Sequence, residues 1–325
     1  MTFGSALQKL VHSSWNKGSR VLVDKWLVTG SAGFLGVNAG YWLRGRVKTI
    51  GNVRSPCSSQ FFDEQIPFDL RDLRLLEKNI RSLRPKVILN TAAVSGHETC
   101  ANDPHQARSV NVDAVRVMSE VSAELGIRLI HISTDAVFSG AIGNYTESDQ
   151  PEPFSIYGET KLAGELEIIK SGVQALIVRT NFYGWSPSNR RSILEFFVST
   201  LREDQNVRGY PDFVVTSMYV QSLIEALWQL NSGGLTGIIH IASSDALSKY
   251  GFGLTVAAEF GLQGSLIEPI LSTEAGLSTS RSRNLSLNTD LFQGLTEHRV
   301  ETQIEGIHRA RIEELTVGVA IRSSA

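Results

Sequence analysis

Cysteine, net charge and long apolar runs are all scarce in this sequence. Its 325 residues include two cysteines, Cys57 and Cys100. Two thiols cannot staple a small secreted scaffold, and neither sits in a Cys-x-x-Cys or other metal-ligand spacing. They read as ordinary thiols of a protein in a reducing compartment, the cytoplasm. No cluster of His, Cys and carboxylates has the spacing of a metal site. Charge is almost balanced, 31 basic against 33 acidic residues for a net −2, so no basic excess points to nucleic acid. No apolar run reaches the roughly 20 residues that span a bilayer, and no compact apolar segment with a small-residue cleavage site marks a secretory signal. The composition, 42% hydrophobic and 20% charged, is globular and excludes a disordered, collagen-like or rod-like chain.

What is present is an alternation of strand-length apolar runs with helical periodicity. Residues 26–28 read as a buried first strand, 34–44 as a helix and 47–50 as a second strand. A helix follows at 71–83 and a strand at 87–89. Asp103-Pro104 is a helix start, with Asp as N-cap and Pro in the first turn; the apolar stripe from Val110 to Leu125 continues it to Gly126. Strand 129–132, helix 156–170 and strand 175–178 complete the rhythm. Further helices at 190–203, 219–230 and 248–261 and strands at 213–215 and 238–242 follow less regularly. Strands alternating with helices predict an α/β fold, a doubly wound parallel sheet with a smaller C-terminal lobe. The expected division is an N-terminal extension over 1–25, a nucleotide domain over 26–184 with a return segment near 214–242, and a mainly substrate-binding lobe over 185–325. Residues 1–25 carry Lys9, Lys17, Arg20 and Lys25 against Asp24 alone; a transit peptide is the alternative to a plain extension.

The turn after the first strand runs from Gly30 through Ser31, Ala32, Gly33, Phe34 and Leu35 to Gly36. The first glycine permits a tight turn, the second lets backbone approach a pyrophosphate, and the third lets the helix pack closely. The helix start then offers free N–H groups to phosphate. The second strand ends in Asn52-Val53-Arg54, with no acid to read a ribose hydroxyl. A guanidinium there suits the 2′-phosphate of NADP, so NADP(H) is preferred over NAD(H), although Arg54 could also be a solvated loop residue. Asp69 and Leu70, before the next helix, could hold the adenine; Asp69 could serve as a helix N-cap as well.

Tyr157 and Lys161 are four apart on a predicted helix and so share a face. An ammonium near a phenol favours the phenolate and brings it toward working pH. Just upstream, Ser133-Thr134-Asp135 ends a strand where a doubly wound sheet places its site. A hydroxyl there can hold a substrate carbonyl, with Thr134 preferred and Ser133 the alternative. His131, inside that strand, reads as a packed, hydrogen-bonded side chain.

These residues resemble the extended short-chain dehydrogenase/reductase family. The similar segments are TGSAGFLG (29–36), NTAA (90–93), NVDA (111–114), HISTDAVFSG (131–140), YGETKLAGE (157–165) and RTNFYG (179–184). Within the family, the STD-V-F-x-G and YGxTKLAGE runs and RSRNLSL (281–287) look like the dTDP-4-dehydrorhamnose reductase subgroup. The resemblance implies a Rossmann domain, an NAD(P) cofactor and a nucleotide-sugar lobe. It implies Tyr157 as acid, Lys161 as its tuning group and ribose ligand, and Thr134 as carbonyl ligand. Ala92 and Ala93 would line the cofactor, Asn111 would support the sheet end, and Asn181 and Tyr183 would lie beside the nicotinamide. Ser95, His97, Asp135 and Arg281 are the remaining substrate candidates, with Arg281 and Arg283 suited to a diphosphate. The chain departs from the subgroup at Ala136, where Tyr is usual, and at Val94 and Ser95, where an aromatic and a hydroxyl are usual. The expected activity is NADPH-dependent reduction of a keto group on a nucleotide-linked sugar. A nucleotide-sugar epimerase or dehydratase, and a cofactor-binding regulatory subunit like the beta subunit of methionine adenosyltransferase, are the alternatives. A homodimer paired through an exposed share of the 104–125 stripe stays open.

Overall fold

The computed structural model describes residues 24–55, 60–187, 192–275, 283–296 and 299–324. Seven parallel strands form the central sheet: β1 (Lys25–Thr29), β2 (Lys48–Val53), β3 (Glu64–Pro67), β4 (Val87–Asn90), β5 (Arg128–Ile132), β6 (Ala175–Arg179) and β7 (Gly237–His240). Their order is β7-β6-β5-β4-β1-β2-β3, a doubly wound, Rossmann-type sheet whose order reverses between β1 and β4. The strands are apolar on both faces because helices cover both. On β1, Trp26 and Val28 enter one core with Leu35 and Ile224, whereas Leu27 enters the other with Leu76 and Val117.

The helices that position the site are α1 (Phe34–Leu43), α2 (Leu73–Leu83), α3 (Ala114–Leu125) and α4 (Ile156–Ser171). α1 has buried residues around its whole circumference and no amphipathic period, as suits a helix sandwiched between the sheet and other helices. α2 starts at Asp72, whose side chain accepts from the Leu75 N–H; the cap is therefore Asp72, and not Asp69. Asp103 does cap the predicted helix start, accepting from the Gln106 N–H. The helix it opens is not uniform: residues Ser109–Asp113 form a wider π-helical turn before α3. Val117, Met118 and Val121 of the α3 stripe are buried in the core, whereas Val110 and Leu125 stay half-exposed.

β3 escaped the periodicity because it is a four-residue edge strand with Glu64 and Pro67 at its ends. Edge strands tolerate both residues. Among the described residues beyond β6, only β7 returns to the central sheet; Val214–Val215 instead pairs antiparallel with Leu247–Ser248. The helix Gln303–Ile312 packs back through Trp185, whose indole N–H donates to the Ala310 carbonyl at 3.1 Å.

One close approach fixes the site. Ser155 caps α4, its side chain accepting from the Gly158 N–H. A Cβ at Gly158 would collide with the Ala136 carbonyl oxygen. The first turn of α4 thus rests directly on the loop leaving β5. Gly158→Ala should force the two apart and cost about 1–3 kcal/mol by overpacking. Gly294→Ala, in a helix with open space around it, should gain about 0.5–1 kcal/mol. Urea denaturation of the two variants checks this; equal stabilities would contradict the packing described.

Candidate active site

The turn from Gly30 to Gly36 lies at the C-terminal end of β1, at the reversal point. Gly30 has φ +66°, a left-handed conformation that favours glycine. A Cβ there would stand 2.8 Å from the Ala92 Cα, and one at Gly36 would strike the Gly30 carbonyl. Ser31 and Leu35 do not face solvent. Ser31 donates to the Asn52 carbonyl at 2.9 Å, and Leu35 is in the core; both can offer a ligand only backbone. α1 begins at Gly33 with no side-chain cap, so its first N–H groups remain available to an anion.

A cavity of about 360 Å³ opens over this turn, bounded by Gly30, Ala32, Gly33, Arg54, Ala92 and Ala93, among others. Asn52 and Leu70 also reach it; the Asn52 amide is held by the Phe68 carbonyl at 3.0 Å. Asp69 and Arg71 close its far end. Arg71 grips Asp69 through two guanidinium nitrogens, at 3.0 and 2.6 Å. That bond, first of all, holds the Asp69 carboxyl below its ordinary value; desolvation is the next largest effect and opposes it, and the Arg71 backbone N–H and the Arg71 and Arg54 charges add smaller lowering effects. Arg71 was missed in the sequence, although its place directly after Asp69-Leu70 is a signal: a second guanidinium at the end where Arg54 stands. The uncapped helix start, the cleared glycine turn and the cationic end fit a dinucleotide with an added phosphate.

Asn111 ties this cavity to α4. From the π-helical turn its side chain accepts from the Val94 N–H at 2.9 Å and donates to the Val94 carbonyl and to Thr160, both at 3.0 Å. Val94 borders the cavity and Thr160 adjoins Lys161. Ser95 is exposed on the segment that follows, and His97, also exposed, is not in a loop as expected but opens the short helix His97–Asn102. The His97 ring meets Tyr157 edge-on, with centroids 5.5 Å apart.

Tyr157, Thr134 and Asp135 form the next group. The Tyr157 phenol interacts with the Thr134 hydroxyl. Thr134 donates to Asp135 at 3.0 Å, and the other Asp135 oxygen accepts from the Asn181 amide at 2.9 Å. Asn181 is in turn held by the Ser217 hydroxyl at 2.7 Å. Desolvation raises the Tyr157 phenol above its ordinary value, and the Asp135 charge adds to the rise. Burial likewise lifts Asp135 to about 6, against the hydrogen bonds from Asn181 and Thr134.

Lys161 follows Tyr157 by one turn on α4. In the structure it points into the sheet, donating to the Ile132 carbonyl at 2.7 Å and meeting His131 at 3.1 Å. Burial brings it down to about 8, opposed by the Glu165 charge. Tyr183 departs from expectation: it is fully buried, and its hydroxyl donates to the Gln303 carbonyl at 3.0 Å. It anchors the start of the helix Gln303–Ile312. Ser133, the alternative hydroxyl, donates to the buried Glu165, which pairs with Arg179 at 2.7 Å, so its proton is already committed. Arg281 lies outside the described residues. Arg283 is exposed and acts on Asp212.

Asp135 yields a prediction with a definite sign. Its folded value lies about two units above the ordinary 3.8. The contribution to stability is full below about 3.8 and is lost as pH rises through about 6, a change of about 3 kcal/mol. Asp135→Asn should flatten that fall, giving a variant that gains on the native protein between pH 4 and 7 in urea denaturation. Parallel pH profiles would contradict the burial-driven rise.

Sequence and fold comparisons follow the same lines. A profile described as "RmlD substrate binding domain" matches residues 24–315. A dTDP-4-dehydrorhamnose reductase of Sinorhizobium fredii is 30% identical over 70% of this chain and 79% of its own. The methionine adenosyltransferase 2 subunit beta of Pongo abelii is 27% identical over 70% of each. The crystal structure of dTDP-4-dehydrorhamnose reductase from Bacillus anthracis, in complex with NADP, superposes with a TM-score of 0.79 at 21% identity, covering 90% of this chain and all of that one; at this identity the likeness speaks to fold alone.

Proposed function

Because the chain belongs to the RmlD substrate binding domain family, we propose that it is an NADPH-dependent reductase of a keto group carried by a nucleotide-linked sugar, similar to dTDP-4-dehydrorhamnose reductase. The observation that carries this reading is the interaction of Tyr157 with Thr134 on a helix that Asn111 ties, through Thr160 and Val94, to the wall of a cavity suited to a dinucleotide. The reduced nicotinamide supplies the hydride when bound. The turn from Gly30 to Gly36 and the start of α1 would hold the diphosphate. Arg54 and Arg71 would meet the 2′-phosphate, and Asp69, released in part from Arg71, the adenine side.

Thr134 has one hydroxyl proton and lends it to Asp135 in the structure. A substrate carbonyl reaching this hydroxyl competes with the carboxylate for that proton. Tyr157, kept protonated by desolvation, donates to the oxygen as charge develops there, and an alkoxide is a strong enough base to take the proton. Lys161 holds the Ile132 carbonyl, and so the strand end two residues before Thr134. His97 and Ser95 are exposed where the substrate would enter. From the departures at Val94, Ser95 and Ala136 from the dTDP-4-dehydrorhamnose reductase pattern, we assign the choice of sugar to this side of the cleft.

A regulatory role is supported by the likeness to the methionine adenosyltransferase beta subunit; such a protein would bind NADPH and a partner without turnover. For a second copy of the chain, the outer face of α4 offers exposed Leu166 and Ile169. Among the described residues no helix is long and apolar enough to cross a membrane; with so little cysteine, we place the protein in the cytoplasm.

The native protein should oxidise NADPH faster than NADH when given nucleotide-linked 4-keto sugars. Tyr157→Phe should lower this turnover at least about 100-fold, on the scale of a lost general acid, with NADPH affinity nearly unchanged. Unchanged turnover in that variant would remove the assignment of the acid. NADPH binding with no turnover on any keto sugar would favour the regulatory role.

A further inference from the structure

The reaction proposed above leaves His131 without a task, although the ring is fully buried and meets the amine of Lys161. It belongs to a closed chain. The Thr29 hydroxyl donates to Asn90 Oδ1 at 2.6 Å, Asn90 Nδ2 lies 2.9 Å from His131 Nδ1, and His131 Nε2 lies 3.1 Å from Lys161 Nζ. All four residues are at most 1% exposed, so water does not complete their hydrogen bonds from outside.

Counting protons decides what this chain can be. Burial, then the Lys161 charge, holds His131 well below its ordinary value, so the ring is neutral with a single N–H. With Asn90 Oδ1 taken by Thr29, Nδ2 donates to Nδ1. The ring proton must then be on Nε2, directed at Nζ. An ammonium has no lone pair to accept it, but a neutral amine has. The ammonium needs the opposite arrangement: Nζ donates to Nε2, the ring proton sits on Nδ1 and donates to Asn90 Oδ1, and the reversed Asn90 amide donates to Thr29, whose own hydroxyl proton turns away from Asn90. Any mixture of the two sets two donors or two acceptors face to face in a buried place, which costs about 1–3 kcal/mol for each unsatisfied group.

We propose that Thr29, Asn90 and His131 form a buried two-state relay that sets the charge of Lys161, the amine pairing with the Nε2–H tautomer and the ammonium with the Nδ1–H tautomer and a reversed Asn90 amide. Passing from amine to ammonium takes up one proton from solvent, while the ring keeps one proton throughout, on opposite nitrogens. The other charge acting on Lys161 is Glu165 on the same helix. Glu165 is pinned by Arg179 from β6 and by Ser133 beyond β5, so it gives a constant bias toward the ammonium, whereas the relay can exist in two states. In the ammonium state two of the three N–H groups of Lys161 are engaged, by Ile132 and His131, and one is left for a ligand. His131 is thus a positioning residue acting through Lys161. The inference deepens the functional reading and rests on it only for its effect on turnover.

The test uses the full chain, labelled with ¹⁵N-histidine and free of cofactor. The ring nitrogens of His131, assigned by their loss in His131→Gln, are followed through the Lys161 midpoint of about 8. The proton should reside on Nδ1 below the midpoint and on Nε2 above it, with the ring neutral on both sides. One tautomer throughout, or a charged ring, overturns the proposal. In Asn90→Asp a carboxylate accepts from both Thr29 and His131 but cannot donate. It should lock the Nδ1–H tautomer and raise the Lys161 midpoint, read from its Cε resonance, by about one pH unit or more. A ring proton still on Nε2 in that variant also overturns it. If the variant does not fold, the native-protein titration alone decides. Neither measurement needs turnover, so failure here is separate from failure to reduce a keto sugar.

Discussion

The seating of the first turn of α4 against the loop leaving β5 is the contact on which the site depends. With no side chain at Gly158, backbone meets backbone at the Ala136 carbonyl. The same contact carries Tyr157 to Thr134 and, one turn on, lowers the Lys161 amine into the sheet between Ile132 and His131. Asn111 secures the arrangement from the other side by holding both the cavity wall at Val94 and the helix at Thr160. The cofactor cradle and the acid-bearing helix are thereby parts of one packed unit, and their spacing is set before any ligand arrives. Such preorganisation is what lets a site supply position in place of chemistry of its own.

Burial governs the electrostatics of this unit. Tyr157 and Asp135 are raised and Lys161 is lowered, in each case by desolvation first. All three move toward the neutral form, which is the general response of ionisable groups removed from water. A protonated phenol is the form that an acid for carbonyl reduction needs. Asp135, titrating near neutrality within bonding distance of Thr134, connects the proton held by that threonine to the state of Asn181 and Ser217 deeper in the molecule.

Much of this was legible in the residues. The βα alternation, the glycine turn after β1 and the Tyr157–Lys161 spacing each follow from local periodicity, which the fold then respects. Asp103 was recognisable as a cap because capping is decided within three residues. What could not be read depends on contacts far apart in sequence. The direction of Lys161 is set by His131, 30 positions away, and by the strand carbonyl next to it. Tyr183 looked like a cleft residue because it follows Asn181, yet a two-residue separation on an extended segment places both side chains on one face only if the segment stays regular. Here Phe182–Tyr183 is a two-residue strand paired with Met218–Tyr219, and Tyr183 is drawn to the Gln303 carbonyl 120 positions on. Arg71 was passed over because Asp69 and Leu70 were read as adenine ligands without the residue that follows them, and the cap also open to Asp69 fell to Asp72.

The central claim is that hydride moves from a cofactor in the β1–α1 cradle to a sugar carbon held at Thr134. It is tested most directly by incubating the protein with NADPH deuterated at the transferable position of nicotinamide C4 and a nucleotide-linked 4-keto sugar, followed by mass spectrometry of the products. The account predicts one deuterium on the sugar, at the former keto carbon, and oxidised cofactor that has lost it. A sugar altered without deuterium, with the label still on the reduced cofactor, would contradict it.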